Sequence, residues 1–210
     1  MSLPRIFGTT LETIPADKPY LSAPKKTHPV IKERLDVEGL KVGFAWTGNA
    51  AHRHNRHRSI PAEALKPLAE LKGVTGFRLQ REVGTTLAYG DGGLELRDLE
   101  PDDGDLADGA SAVDGLDLVI TVDTSVAHLA GALNKECWIL LSYAPDFRWL
   151  RDRPDSVWYL SVRLFRQPSP GDWASVVEEA RKALAERVKA GTGKTKPAAK
   201  KRAKRKKAAR

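Results

Sequence analysis

The sequence predicts an α/β fold, a Rossmann-like and mainly parallel sheet sandwiched by helices. Three observations carry that prediction. Short apolar runs at 41–46, 74–79, 117–122 and 137–141 have the length of buried strands. Segments with helical spacing of Leu, Ala and Val alternate with them, as parallel βαβ units require. The runs are apolar nearly throughout, which fits a sheet covered on both faces better than one with a wet side.

Taken in order, residues 1–27 contain Pro4, Pro15, Pro19 and Pro24 and read as an extended linker. A short helix is expected over 30–35, then a strand over 41–46. Residues 47–59 form a polar loop crowded with Asn, His and Arg. Ser59 is placed to N-cap a helix entered through Ile60 and Pro61, with Leu65, Leu68 and Leu71 as its apolar stripe. The next strand is 74–79. The Gly- and Asp-rich stretch 84–105 reads as loops around a short strand at 94–96, and 106–116 as a weak helix damaged by Gly109 and Gly115. Residues 117–122 are the clearest strand. They run into a helix capped by Asp123-Thr124-Ser125 and ending near Leu133. A strand over 137–141, a short helix over 144–151 and a short strand over 157–160 follow. The chain's last periodic segment is an amphipathic helix over 173–189, with Trp173, Val176, Val177, Ala180, Leu184 and Val188 on one face.

Charge and composition narrow the class. The chain carries 35 Lys and Arg against 27 Asp and Glu, net +8. Residues 191–210 hold ten of those bases and no acid, leaving 25 bases against 27 acids and a net −2 over 1–190. The high isoelectric point therefore belongs to a Lys- and Ala-rich tail without aromatics, which cannot bury enough apolar area to order itself. No apolar run approaches the ~20 residues that span a bilayer, and no long apolar stretch follows Met1, so a cytoplasmic location is expected. The single cysteine, Cys137, excludes an intrachain disulfide framework and Cys-based zinc sites.

In open parallel sheets, ligands sit beyond the carboxyl ends of the strands. That rule selects three loops. After 117–122, Asp123, Thr124 and Ser125 open a helix whose free N–H groups and dipole suit an anion, while Asp123 suits a cap or a sugar hydroxyl. An ordinary capped helix explains the same residues. His128, one turn further on, suits packing or hydrogen bonding as readily as ligand contact. After 41–46 come Trp46, Thr47, Gly48 and Asn49, then His52, Arg53, His54, Arg56, His57 and Arg58. Gly48 allows close backbone approach. The bases suit a diphosphate or, equally, a solvated loop. His52, His54 and His57 invite a zinc reading, but neither an HExxH pattern nor a Cys partner supports it, and no metal is expected. After 137–141, Tyr143 and Trp149 are placed to flank a base or sugar, with Arg148 for a phosphate. Packing of a hydrophobic corner accounts for Trp149 as well. G-x-G-x-x-G, G-x-x-x-x-G-K-[ST] and G-x-S-x-G are all missing, which removes support for a dinucleotide fold, a P-loop and an α/β-hydrolase elbow.

The ordered set 42–49, 58–61, 117–131, 142–150 and 164–167 resembles the C-terminal domain of bacterial heptosyltransferase-like glycosyltransferases of family nine, most of all the version linked to tetratricopeptide repeats. The resemblance implies half of a GT-B architecture, in which this domain binds a nucleotide-diphosphate sugar as donor substrate, with no cofactor and no metal. It implies that Asp123, Thr124, Ser125 and the following helix lie beside the donor diphosphate, and that Trp46, Gly48 and Asn49 face the cleft. Arg58, His128, Tyr143 and Arg148 complete the expected donor site; no catalytic residue is assigned, because the base in such enzymes comes from the acceptor domain. The expected organisation is a linker or domain remnant over 1–37, the nucleotide-sugar-binding domain over 38–190 and a disordered basic tail over 191–210. A partner chain or a second copy would supply the acceptor side. Two other functions compete: a non-catalytic nucleotide-binding module, and a nucleic-acid-associated protein driven by the tail, whose Lys and Arg give salt-dependent attraction to any polyanion, nucleic acid or membrane.

Overall fold

A computed structural model describes residues 3–49, 51, 53, 55–80, 93–99, 101 and 104–191. In chain order, helix α1 (Leu3–Ile6) and helix α2 (Pro29–Arg34) precede strand β1 (Leu40–Ala45). Helix α3 (Asn55–Arg58), a 3-10 turn (Ala62–Leu65) and helix α4 (Lys66–Ala69) lead to β2 (Val74–Arg78) and the short β3 (Arg97–Asp98). Helix α5 (Leu106–Gly115), β4 (Leu118–Val122), α6 (Ser125–Ala132), β5 (Cys137–Leu141), β6 (Val162–Arg166) and α7 (Trp173–Lys189) complete the described fold.

All strand pairs are parallel, in the order β3-β2-β1-β4-β5-β6. This is the doubly wound, Rossmann-like arrangement, with its topological switch between β1 and β4. Successive residues of β4 serve opposite faces. Leu118, Ile120 and Val122 join Val42, Phe44, Leu140 and Phe165 in a core closed by α4 and α7. Val119 joins Ile139 and Leu141 in the other, closed by α2, α5 and α6. Strands β4 and β5 are buried at every position, which is why they carry no alternating pattern.

The structure departs from the sequence expectations in several places. Residues 3–6 form a turn of helix inside the expected linker, with no buried side chain. The helix expected from residue 60 is a 3-10 turn followed by one α turn, because Pro67 enters at its second position and the helix ends at Ala69. Ser59 does not cap it; its hydroxyl bonds Thr47 Oγ1 at 2.8 Å. Residues 94–96 are a tight turn, Leu96 N donating to Leu94 O, and the strand lies at 97–98 instead. Helix α5 is better built than its glycines suggest: Asp105 and Asp108 form a reciprocal capping box. At Gly115 a Cβ would overlap Leu35, so the missing side chain is what lets α2 pack there. The helix over 144–151 shrinks to a 3-10 turn at Phe147–Trp149, stopped by Leu150 at φ 53°. The strand over 157–160 is absent. Ser156 Oγ accepts from the N–H groups of Trp158 and Tyr159 and holds a turn there, and the edge strand is β6. Arg163 and Arg166 disguise β6, since they interrupt its apolar pattern. The expected loops over 84–92, and all but the first residue of the expected tail, lie outside the described residues.

Candidate functional site

The carboxyl ends of β1, β4, β5 and β6 open onto one cleft of 720 Å³. In strand order, the loop after β1 contributes Arg56, His57 and Arg58. The turn after β4 contributes Asp123, the loop after β5 Tyr143 and Arg148, and the loop after β6 Gln167, Gly171 and Trp173.

The loop after β1 is held by its own polar groups. Asn55, 3% exposed at the start of α3, donates through Nδ2 to Thr47 Oγ1 at 3.0 Å. Its Oδ1 accepts from Gly48 N at 3.1 Å and from Arg58 Nε at 3.3 Å. Thr47 Oγ1 meets Ser59 Oγ, and the N–H groups of Trp46 and Thr47 both donate to Gln80 Oε1. Gly48 matters for a steric reason: a Cβ there would run into the Arg58 guanidinium and sit 2.9 Å from Asn55 Oδ1. The guanidinium therefore lies over bare backbone at the cleft wall. No carboxylate pairs with Arg58 among the described residues.

The turn after β4 is arranged differently. Thr124 is the N-cap residue of α6, but its side chain makes no cap bond; its hydroxyl meets Thr121 Oγ1 at 3.1 Å. Ser125 is exposed at the first position of the helix. Asp123 lines the cleft at 7% exposure and has neither a hydrogen-bond nor an ion-pair partner for its carboxylate among the described residues. Its oxygens are not fully enclosed, so the carboxylate stays open to a hydrogen-bond donor in the cleft.

Arg148 is half-exposed and pairs with Asp146, Nε to Oδ1 at 2.9 Å, so it presents only part of its charge to the cleft. Trp149 behind it is buried and stacks on the His128 ring, centroids 5.5 Å apart. His128 Nδ1 lies 3.0 Å from the Tyr159 hydroxyl, which lies 3.2 Å from that of Tyr20. Burial first, and Arg148 second, push His128 below its usual 6.5, against weaker opposing pulls from Asp123 and Asp146. Burial and the bond to Tyr20 push the Tyr159 hydroxyl up. The pair packs onto α6 because Gly131 leaves room; a Cβ there would strike the Tyr159 ring.

Of the ten expected site residues, Arg58, Asp123, Tyr143 and Arg148 line the cleft, with Gly48 directly beneath Arg58. Thr124 and Ser125 flank Asp123. Trp46 is fully buried in the core under α7, supporting the loop from below. Asn49 is exposed and turned into its own loop, Oδ1 accepting from Ala51 N. His128 sits behind the cleft in the Trp149–Tyr159 cluster. The zinc reading falls largely outside the described residues, since His52 and His54 do; His57 Nε2 accepts from Arg56 Nε. Sequence reasoning gave no role to Gln167, whose Oε1 accepts from both Tyr143 N and Gly171 N and so ties the loops after β5 and β6.

Fold and cleft together define an open, doubly wound α/β domain with a charged cleft along the carboxyl ends of its strands. No family model matches the chain, and no curated protein does. Among solved structures, the E. coli ADP-heptose lps heptosyltransferase II is similar, with 16% identity and a TM-score of 0.49 over 79% of this chain and 54% of that one. The chain thus spans about half the length of that protein. Among the described residues no helix is long and apolar enough to cross a membrane.

Proposed function

We propose that the cleft binds a nucleotide-diphosphate sugar and that the domain is the donor-binding half of a GT-B glycosyltransferase of the heptosyltransferase-like kind, including its repeat-linked branch. The observation that carries this reading is the company of Asp123. Among the described residues, a largely buried carboxylate without a partner faces the same cleft as Arg58, which pairs with no carboxylate. A ligand that satisfies both carries hydroxyl donors at one part and phosphate acceptors at another. A sugar diphosphate does so, with Asp123 accepting from sugar hydroxyls and Arg58 and the uncapped first turn of α6 facing the phosphates. The reading includes no divalent ion and no cofactor. The acceptor and the catalytic base belong to a second unit. The purified chain is expected to bind donor but to turn it over poorly, since orientation of two reactants supplies as much as ~7–11 kcal/mol of barrier lowering. A soluble, cytoplasmic setting and weak polyanion contact through the basic tail belong to the same proposal.

The test is calorimetric titration with uridine, guanosine and adenosine diphosphates and their sugar conjugates, with and without EDTA. At least one binds in EDTA, and Ser125→Glu weakens it more than tenfold by setting a negative charge against the phosphate at the start of α6. That substitution favours the helix itself, so the fold is retained. Binding that requires a divalent ion and survives Ser125→Glu rejects the assignment.

A further inference from the structure

Gln167, the first residue after β6, is buried at 5% exposure and lines the cleft. Its carboxamide has only one sensible orientation. Oε1 accepts from two backbone N–H groups, Tyr143 at 3.0 Å and Gly171 at 3.1 Å. Turning the amide over would set its NH2 against those two donors. The nitrogen end is therefore fixed, and Nε2 is buried with no acceptor. A buried N–H without a partner is rare and destabilising, and in a ligand cleft it marks a contact that the ligand completes.

The surroundings say what kind of acceptor this is. By strand order Gln167 lies at the opposite end of the cleft from the basic loop after β1, three strand spacings or about 14 Å away. At that end Pro170 and Trp173 line the cleft with it, and Leu140 forms part of the floor. Apolar walls beside one buried, unsatisfied donor suit a flat heterocycle bearing a carbonyl better than a phosphate or a free sugar. We propose that Gln167 is a specificity-determining residue that reads the nucleobase. Its Nε2 donates to the base carbonyl at the edge where adenine carries an exocyclic amine, itself a donor, so the cleft prefers uracil or guanine to adenine. This rests on the reading of the cleft as a nucleotide site.

Gln167→Glu is the decisive variant. Its Oε1 still accepts from Tyr143 N and Gly171 N, so the tie between the loops is kept, while the donor at Nε2 becomes an acceptor. The probes are pyrophosphate and uridine, guanosine and adenosine diphosphates, titrated into both proteins. The wild type binds the uridine or guanosine compound about tenfold more tightly than the adenosine one. Gln167→Glu abolishes or reverses that preference while pyrophosphate affinity stays within about twofold. Equal wild-type affinity for the three nucleotides overturns the inference, whether or not the variant folds. So does an unchanged preference in Gln167→Glu. If pyrophosphate binds as tightly as every nucleotide, the anion cleft stands and the base reader falls. If neither pyrophosphate nor any nucleotide binds, the reading of the cleft fails and the inference goes with it.

Discussion

The turn after β1 and the turn after β4 lie on adjacent strands at the same edge of the sheet, yet they treat their polar groups in opposite ways. In the first, Thr47, Asn55 and Ser59 are buried and satisfy one another, and Asn55 also orients Gly48 and Arg58. In the second, Asp123 is just as buried and is left without a partner, and the helix behind it begins without a side-chain cap. A closed network spends its hydrogen-bonding capacity on rigidity. An open carboxylate leaves that capacity unused. The difference separates the scaffold of the cleft from the part that the proposed donor would face.

That contrast is breakable. Asn55→Leu should be the most damaging change, because it strands Gly48 N, takes one partner from Thr47 Oγ1 and frees Arg58. A loss of about 2–3 kcal/mol in denaturant unfolding is expected, and a near-neutral result would mean the β1 loop is not the rigid wall described. Gly48→Ala should act on binding more than on folding. Its Cβ displaces a flexible guanidinium tip and crowds the buried Asn55 Oδ1 at 2.9 Å, so nucleotide affinity falls about tenfold and stability falls by ~1 kcal/mol. Wild-type affinity in that variant would show that Arg58 need not lie over the backbone.

Asp123→Asn should leave the melting temperature unchanged or raise it, by an equivalent of about 0.5–1 kcal/mol, because it removes a largely buried charge that pairs with no described side chain. The same variant should bind sugar nucleotides less well while keeping its affinity for pyrophosphate. Clear destabilisation would reveal a structural role and erase the contrast between the two turns. The smallest effect concerns His128 behind the cleft. Its pKa is lowered in the fold, so below its ordinary 6.5 the unfolded chain takes up a proton that the folded chain does not. Stability therefore falls as pH drops from 6.5 toward the folded value, and this contribution is flat above 6.5. His128→Gln should remove that part of the slope, as read from melting temperatures between pH 5 and 8.

Much of this was legible in the chain. The parallel architecture, β5 and the extent of α7 follow from residues that are neighbours in sequence, because apolar runs and helical spacing are local signals. The turn at Asp123 was visible for the same reason, as a buried strand running into a helix, although the side-chain cap expected there is not made. Local reasoning failed where a distant neighbour set the outcome. Arg163 and Arg166 made β6 look polar, although Arg163 lies over the Phe165 and Trp138 rings and Arg166 donates to the carbonyls of Trp149 and Arg153. Trp46 looked like a cleft residue, yet the end of β1 turns it into the core beneath α7. The sequence by itself determined the class of fold and the edge of the sheet at which the cleft lies. Only the tertiary structure decided which of those groups are already satisfied. Asn55 finds its partners across the loop and Asp123 finds none, while Gln167 spends its oxygen on two loops and leaves its nitrogen open. Hydrogen-bond satisfaction depends on atoms brought together from separate strands, and no local pattern of residues encodes it.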